Sequence, residues 1–245
     1  MRNFFIIGHN PNTVADAVRY LQSGANALEP DVHFTNNDFY MGEGTTSTDL
    51  PLSAYLQGLS LQLTVNPRYT PALIMFDTKN SEGNILSMLQ CIQTNFATAF
   101  PNTAIVISRS QATADEHMFF SAAAGHLAVN GAVGVDENTE PDMANAFFLS
   151  LGIRNFTFAD GISIPLLSEF FWNRIKSAVA MRDAGGSFSM VYAWTLDTPL
   201  DISSFLQLNT DGMITDSPGA VKETLESAPF AGKYQLAPVG YNPFA

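Results

Sequence analysis

The chain has 245 residues, 46% of them hydrophobic, enough for one large domain with a full core or for two small ones. A formal net charge of −12 opposes binding to nucleic acid and adsorption to anionic membranes, but leaves zwitterionic lipid open as a substrate. Cys91 is the single cysteine, which excludes an intrachain disulfide and a cysteine-based metal site and reads as a buried core thiol.

Phe4 to Ile7 is a short apolar run ending in Gly8-His9. Four apolar residues are too few for a signal sequence or a membrane span and predict a buried strand. The expected compartment is the cytosol, or the outside of the cell for a mature secreted form. Pro11-Asn12-Thr13 signals a helix start, with Val14, Ala17, Val18 and Leu21 at helical spacing and Gly24 closing the helix.

Ala25 to Phe34 predicts the second strand. Alternation puts Glu29, Asp31 and His33 on one face and Leu28, Pro30 and Val32 on the other. Two carboxylates and an imidazole are costly to bury without a positive partner, and a divalent cation with carboxylate ligands would meet that need. The other reading, a strand end facing water, stays open on this stretch. Pro30 removes a ladder donor, so a local bulge is expected there.

Phe39 to Met41 reads as a short strand, Gly42 to Leu50 as a polar loop and Leu52 to Leu63 as a helix. Ala72 to Lys79 is a strand whose last turn places Asp77 and Lys79 on one face. A helix over Asn84 to Phe96, a strand over Ala104 to Ser108 and a helix over Ala112 to Ala124 follow. Next come a Gly-containing strand over Ala128 to Val135 and a helix from Met143 to Leu151. Phe156 to Ile162 is a strand carrying Asp160, followed by a long helix from Pro165 to Asp183. Phe188 to Leu196 is a strand with Tyr192 and Trp194 on one face. Leu200 to Leu208 is a helix, Gly212 to Thr215 a strand and Pro218 to Leu225 a helix. The residues after Ser227 read as an irregular tail.

About eight strand–helix units in one chain predict an α/β fold, a (β/α)8 barrel over residues 1–227 with a tail over 228–245, as a single domain. There is no Gly-x-Gly-x-x-Gly after the first strand and no Walker lysine, which argues against nucleotide folds. In such a barrel the site lies at the carboxyl ends of the strands. His9, Glu29, Asp31, His33, Asp77, Lys79, Asp160 and Trp194 all fall there. His117 and His126 read as surface residues, Arg109 and Glu137 as loop charges, and Trp172 as part of a helix core. Asp211 and Asp216 read as groups that tie the last strand.

Five segments in order carry a family resemblance: Gly-His-Asn-Pro-Asn, Gly-Ala-Asn-Ala-Leu-Glu-Pro-Asp-Val, Phe-Asp-Thr-Lys, Tyr-Ala-Trp-Thr-Leu-Asp and Thr-Asp-Gly-Met-Ile-Thr-Asp-Ser-Pro. Together they resemble the glycerophosphodiester phosphodiesterase-like superfamily. Within it the nearest branch is the sphingomyelinase D / phospholipase D toxins of spiders, bacteria and fungi. The helix around Arg174 to Gly186, the Asp160-Gly161-Ile162-Ser163 segment and the terminal Tyr241-Asn242-Pro243-Phe244 are similar to that branch, whose microbial members plug the closed barrel end with such a tail.

The resemblance implies a Mg²⁺ ion on Glu29, Asp31 and Asp77, His9 as nucleophile or general base, and Lys79 on a phosphate oxygen. It also implies a headgroup pocket of Trp194, Tyr192 and Asp160, with the Trp194 face suited to a quaternary ammonium. The implied partner is a phospholipid, lysophospholipid or glycerophosphodiester, met by transient contact with a membrane surface, and the product in the toxin branch is often a cyclic phosphate.

The family's second catalytic histidine is missing from Phe39 to Gly44, as is the disulfide loop that follows it, and Ile164 replaces a family asparagine. His33, on the face of Asp31 and nearer the mouth, is the expected replacement, and Glu43 is a further candidate acid. The competing reading is a barrel of this family without turnover, acting in binding or structure.

Overall fold

The computed structural model describes residues 1–43, 50–80, 84–136, 139–162 and 168–245, with backbone only for 168–170. Strands and helices alternate along it. The first units are β1 (Arg2–His9), α1 (Val14–Gln22), β2 (Ala27–Glu29), β3 (Asp31–Thr35), β4 (Asp38–Met41), α2 (Leu52–Val65), β5 (Leu73–Thr78) and α3 (Ile85–Ile92). β6 (Ala104–Arg109), α4 (His117–His126), β7 (Gly131–Val135), α5 (Pro141–Ser150) and β8 (Phe156–Gly161) follow. The last are α6 (Ser168–Asp183), β9 (Phe188–Trp194), α7 (Pro199–Leu206), β10 (Gly212–Thr215), α8 (Pro218–Glu226) and β11 (Tyr234–Leu236).

Parallel pairing runs from β5 through β10 in sequence order, β10 pairs with β1, and β1 pairs with β2. The ring closes through β2 and β5, giving the eight-stranded (β/α)8 barrel. Side-chain alternation then sorts the core into two layers. Phe5, Ile7, Ala27, Leu73, Met75, Val106, Ala159, Met190 and Tyr192 fill the lumen. Phe4, Ile6, Leu28, Ile74, Phe76, Ile107, Phe156 and Phe158 pack outward on the helices. Helix starts are fixed locally: Thr13 accepts from Asp16 N at 3.1 Å and turns Ala17, Tyr20 and Leu21 inward.

Pro30 is the joint between β2 and β3 and not a bulge. β2 pairs with β1 and β5, while β3 keeps β5 and takes antiparallel β4 in place of β1. The Pro30 carbonyl still accepts from Asp77 N at 3.0 Å, so the missing donor falls where the strand changes neighbours. A register shift does occur, between Phe156 and Thr157 of the β8–β9 pair.

The tail is more ordered than expected. β11 pairs in parallel with the start of β1, Arg2 opposite Tyr234. Phe244 is buried in the lumen cluster at the amino-terminal end of the strands, with Tyr241 beside Phe5. Asn242 holds the segment by donating to Val129 O at 3.1 Å and accepting from Phe244 N at 2.9 Å.

Other boundaries shift. α3 stops at Ile92 and runs on as a π turn over Gln93–Ala97. α4 starts at His117 after a 3₁₀ turn over Ala114–Glu116, and β7 starts at Gly131. The expected helix start at Pro165, with Ser163 and Ile164, lies outside the described residues, as does Glu137.

Candidate active site

Lumen-facing residues at the carboxyl ends of the strands surround a cavity of about 280 Å³. His9, Asn10, Glu29, Glu43, Asp77, Lys79, Asp136 and Trp194 line it. Glu29 ends β2 opposite His9 of β1, and Asp31 opens β3 opposite Asp77 of β5. One carboxylate oxygen from each of Glu29, Asp31 and Asp77 lies within 4.8 Å of the others, and all three residues are buried. Three converging hard oxygen donors suit a divalent cation such as Mg²⁺.

Lys79 reaches into the same group. Its Nζ lies 2.8 Å from Asp31 Oδ1, bonds Asp77 Oδ2 and stands 3.5 Å from Glu43 Oε1. Burial opposes the ammonium charge, but Asp77, Asp31 and Glu29 outweigh it and hold the Lys79 pKa well up. Burial, then Asp31 and Asp77, push the Glu29 carboxyl well above the usual carboxylate range, against the pull of Lys79. Asn12 braces Asp31 on two sides, donating to Oδ2 and accepting from the Asp31 amide, both at 2.8 Å. The amide of Asn10 donates to Glu29 Oε2 at 3.2 Å.

On the adjacent strand β1, His9 Nδ1 lies 3.0 Å from Asp216 Oδ1. Asp197 places Asp216 by accepting from its amide and from the Thr215 hydroxyl, both at 2.8 Å. Trp194 lines the cavity and donates from its indole nitrogen to the Asp136 carbonyl. Ser108 donates to Asp136 Oδ2 at 2.9 Å.

Three predicted site residues fall elsewhere. Asp160 shares the outward face of β8 with Phe156 and Phe158. Its carboxylate accepts from Arg174 Nη1 of α6 and from the Gly161 amide, both at 2.9 Å, so it ties helix to barrel, and it is not among the described residues lining the mouth cavity. Tyr192 faces the lumen but is fully buried one layer below Trp194, and burial raises its phenol pKa well above the usual value. His33 keeps the lumen-side parity of Asp31, yet it is buried with Nδ1 2.9 Å from the Gly42 carbonyl and its ring against Tyr40. It is not among the described residues lining the cavity, so the structure does not pair it with His9. Arg109 is no loop charge: it ends β6, buried, 2.9 Å from Glu116 Oε1.

The profile of the dermonecrotic toxin SPH family matches residues 1–49 and 102–244. The chain belongs to this family. Among the curated members, dermonecrotic toxin LiSicTox-alphaIA2bi of Loxosceles intermedia is 28% identical, over 99% of this chain and 89% of its own length. LarSicTox-alphaIB1b of Loxosceles arizonica is 27% identical over 98% of both chains. In fold, the chain resembles an Oleispira antarctica phosphodiesterase solved with its product sn-glycerol-3-phosphate (TM-score 0.66, 13% identity, 91% of this chain and 97% of that one). It also resembles a glycerophosphodiester phosphodiesterase from Parabacteroides distasonis (TM-score 0.62, 15% identity, 92% and 98%). The protein is thus a member of the glycerophosphodiester phosphodiesterase-like superfamily, near its sphingomyelinase D branch, as the order of its motifs implies.

The matched SPH segments carry His9, Glu29, Asp31, Trp194 and Asp216, but skip the stretch holding Asp77 and Lys79. Those two enter the site on geometry: β5 pairs with β3 and sets Asp77 beside Asp31. In this SPH-family member, sequence reasoning overlooked Asn10, Asn12 and Asp136 and read Asp216 as a structural tie. The Asn10-Pro11-Asn12 segment directly after His9 was a usable signal for the first two, since strand-end loops of a barrel build its site.

The raised Glu29 pKa carries a stability consequence. Its folded-state value exceeds the unfolded one, about 4.3, so the folded state holds the extra proton and stability falls as pH rises between the two values. In EDTA, Glu29→Gln is expected to melt above wild type at pH 8, by on the order of a few degrees, and to converge with it near pH 4. Thermal unfolding at the two pH values checks this.

Proposed function

We propose that this protein is a Mg²⁺-dependent phosphodiesterase of the sphingomyelinase D / phospholipase D type, releasing the headgroup of a choline phospholipid or lysophospholipid. The class, phosphoric diester hydrolase or lyase, follows from family membership. The observation that carries the reading is one small mouth cavity lined by His9, beside Glu29 on the neighbouring strand, and by Lys79 among three carboxylates.

Glu29, Asp31 and Asp77 would hold the cation, which when bound supplies positive charge to the phosphodiester oxygens. Lys79 adds a second positive charge at the same phosphate. His9 is engaged at Nδ1 by Asp216 and meets the Asn10 side-chain amide at Nε2, 3.3 Å away, and Nε2 is the nitrogen that would attack or move a proton. Trp194 forms the cavity wall against which a quaternary ammonium would lie. Attack by a hydroxyl within the substrate would leave a cyclic phosphate. No helix among the described residues is long and apolar enough to cross a membrane, and the substrate would be met by transient contact with a lipid surface.

The proton for the leaving group falls to Glu43 rather than His33. Glu43 lines the cavity beside Lys79, whereas His33 sits behind the Gly42 carbonyl. A second reading, a family barrel without turnover, draws on the missing histidine in this segment.

Phosphorus NMR with purified protein tests both, offering sphingomyelin, lysophosphatidylcholine and glycerophosphocholine with Mg²⁺ or EDTA. Metal-dependent cleavage is expected, with Glu43→Gln lowering kcat by roughly 10²-fold or more and His33→Ala by much less. The reverse order would return the acid role to His33. Cleavage of glycerophosphocholine alone would make the protein a glycerophosphodiester phosphodiesterase, and no cleavage by folded protein would favour the second reading.

A further inference from the structure

Asp216 is an exposed carboxylate at the end of β10, with a side chain 55% accessible. Such a group ordinarily samples several rotamers, and a lone bond to His9 would fix neither partner. A second donor reaches it from beneath. The Tyr20 hydroxyl of α1 lies 3.0 Å from Asp216 Oδ1, the same oxygen that meets His9 Nδ1. We propose that Tyr20 is a positioning residue for His9: through Asp216 it holds the imidazole with the proton on Nδ1 and turns Nε2 to the cavity side, where the Asn10 side-chain amide stands 3.3 Å away.

The local packing is built for this contact. Tyr20 is buried, on the inward face of α1 with Ala17 and Leu21. Its ring lies against β1 at Gly8, the residue before His9, where a Cβ would sit 2.6 Å from Tyr20 Cγ. Gly8 therefore lets the ring approach β1 and aim its hydroxyl past the strand end at Asp216. Burial, followed by Asp216 itself, pushes the Tyr20 phenol up to about 12, so the hydroxyl remains a donor. An ionised carboxylate accepts only, so an oxygen shared with a phenol donor takes a second proton donor most readily from Nδ1–H. Asp16 and Arg19 are the other charged groups on this helix near Tyr20; they pair with each other at 3.1 Å, and the Arg19 guanidinium stands 4.5 Å over the ring.

The role of His9 in turnover rests on the function proposed above, so the test reads the ring directly as well as the rate. In full-length protein at pH 8.5, long-range ¹H–¹⁵N spectra of His9 are expected to show a single Nδ1–H tautomer. Tyr20→Phe keeps the ring and removes only the hydroxyl. It is expected to move both His9 nitrogens toward the values of a tautomer mixture. In sphingomyelin or lysophosphatidylcholine micelles with Mg²⁺, it is expected to lower kcat about three- to tenfold with KM within twofold. Asp216→Asn should shift the nitrogens in the same direction. An unchanged His9 spectrum in folded Tyr20→Phe overturns the proposal whatever the rate. A changed spectrum in a protein that cleaves neither lipid upholds the positioning role and overturns the functional reading instead.

Discussion

His9→Ala is expected to lower phosphodiester cleavage by roughly 10²–10⁴-fold while leaving the melting temperature nearly unchanged. The magnitude follows from removing the group proposed above to attack or to move the proton at phosphorus. The small stability effect follows from location: His9 is the last residue of β1, half-buried, and its side chain meets only the exposed Asp216 at Nδ1 and the Asn10 side-chain amide at Nε2 among the contacts described. The ring fills no core space, and Asp216 keeps the Tyr20 hydroxyl and the Asp197 contact at its amide. Phosphorus NMR for turnover and thermal unfolding for stability check the two halves. Turnover within tenfold of wild type would remove His9 from the chemistry.

Lys79→Met is expected to destabilise the protein by roughly 3–5 kcal/mol in EDTA, the cost of removing one partner from a buried charged group. Three buried carboxylates converge here, and Lys79 bonds two of them directly. Without the ammonium, Asp31 and Asp77 face each other and Glu29 in a low-dielectric site, and Glu29 is already forced toward its protonated form. Mg²⁺ is expected to restore much of the loss, because a cation that binds only the folded state stabilises it by mass action. Urea unfolding with EDTA and with Mg²⁺ measures both. Turnover should stay low even with the cation, since the phosphate contact proposed for Lys79 is lost. A variant as stable as wild type in EDTA would show that the carboxylates do not need Lys79. One that Mg²⁺ does not rescue would deny them the role of metal ligands.

Much of this site was legible because strand alternation is local. Glu29 and Asp31 share a face whatever the rest of the chain does, and so do Asp77 and Lys79. Asp160 shows the limit. It shares a face with Phe156 and Phe158, against Thr157, Ala159 and Gly161 on the other. Phe5, Met75, Met190 and Tyr192 of other strands already fill the lumen, so on β8 the small Ala159 turns inward and the aromatic face packs outward on the helices. That size contrast was present in the sequence and was outweighed by the position of Asp160 at a strand end. Tyr192 was misplaced for a related reason: parity says which side a residue faces, not how deep in the lumen it lies.

By itself the sequence determined the alternating strand–helix order, hence a barrel with its chemistry at the strand ends, and the residue types on each strand face. These depend on backbone periodicity and on neighbours a few residues away. Only the tertiary structure decided which strand ends meet. The encounter of His9 with Asp216 spans 207 residues, and that of Tyr20 with Asp216 spans 196. The pairing of β3 with β5 sets Asp77 beside Asp31, and the turn after β4 brings Glu43 to the cavity while keeping His33 behind Gly42. Contacts of this kind come from ring closure and loop course, which no local pattern encodes, because each is settled by the packing of the whole barrel at once.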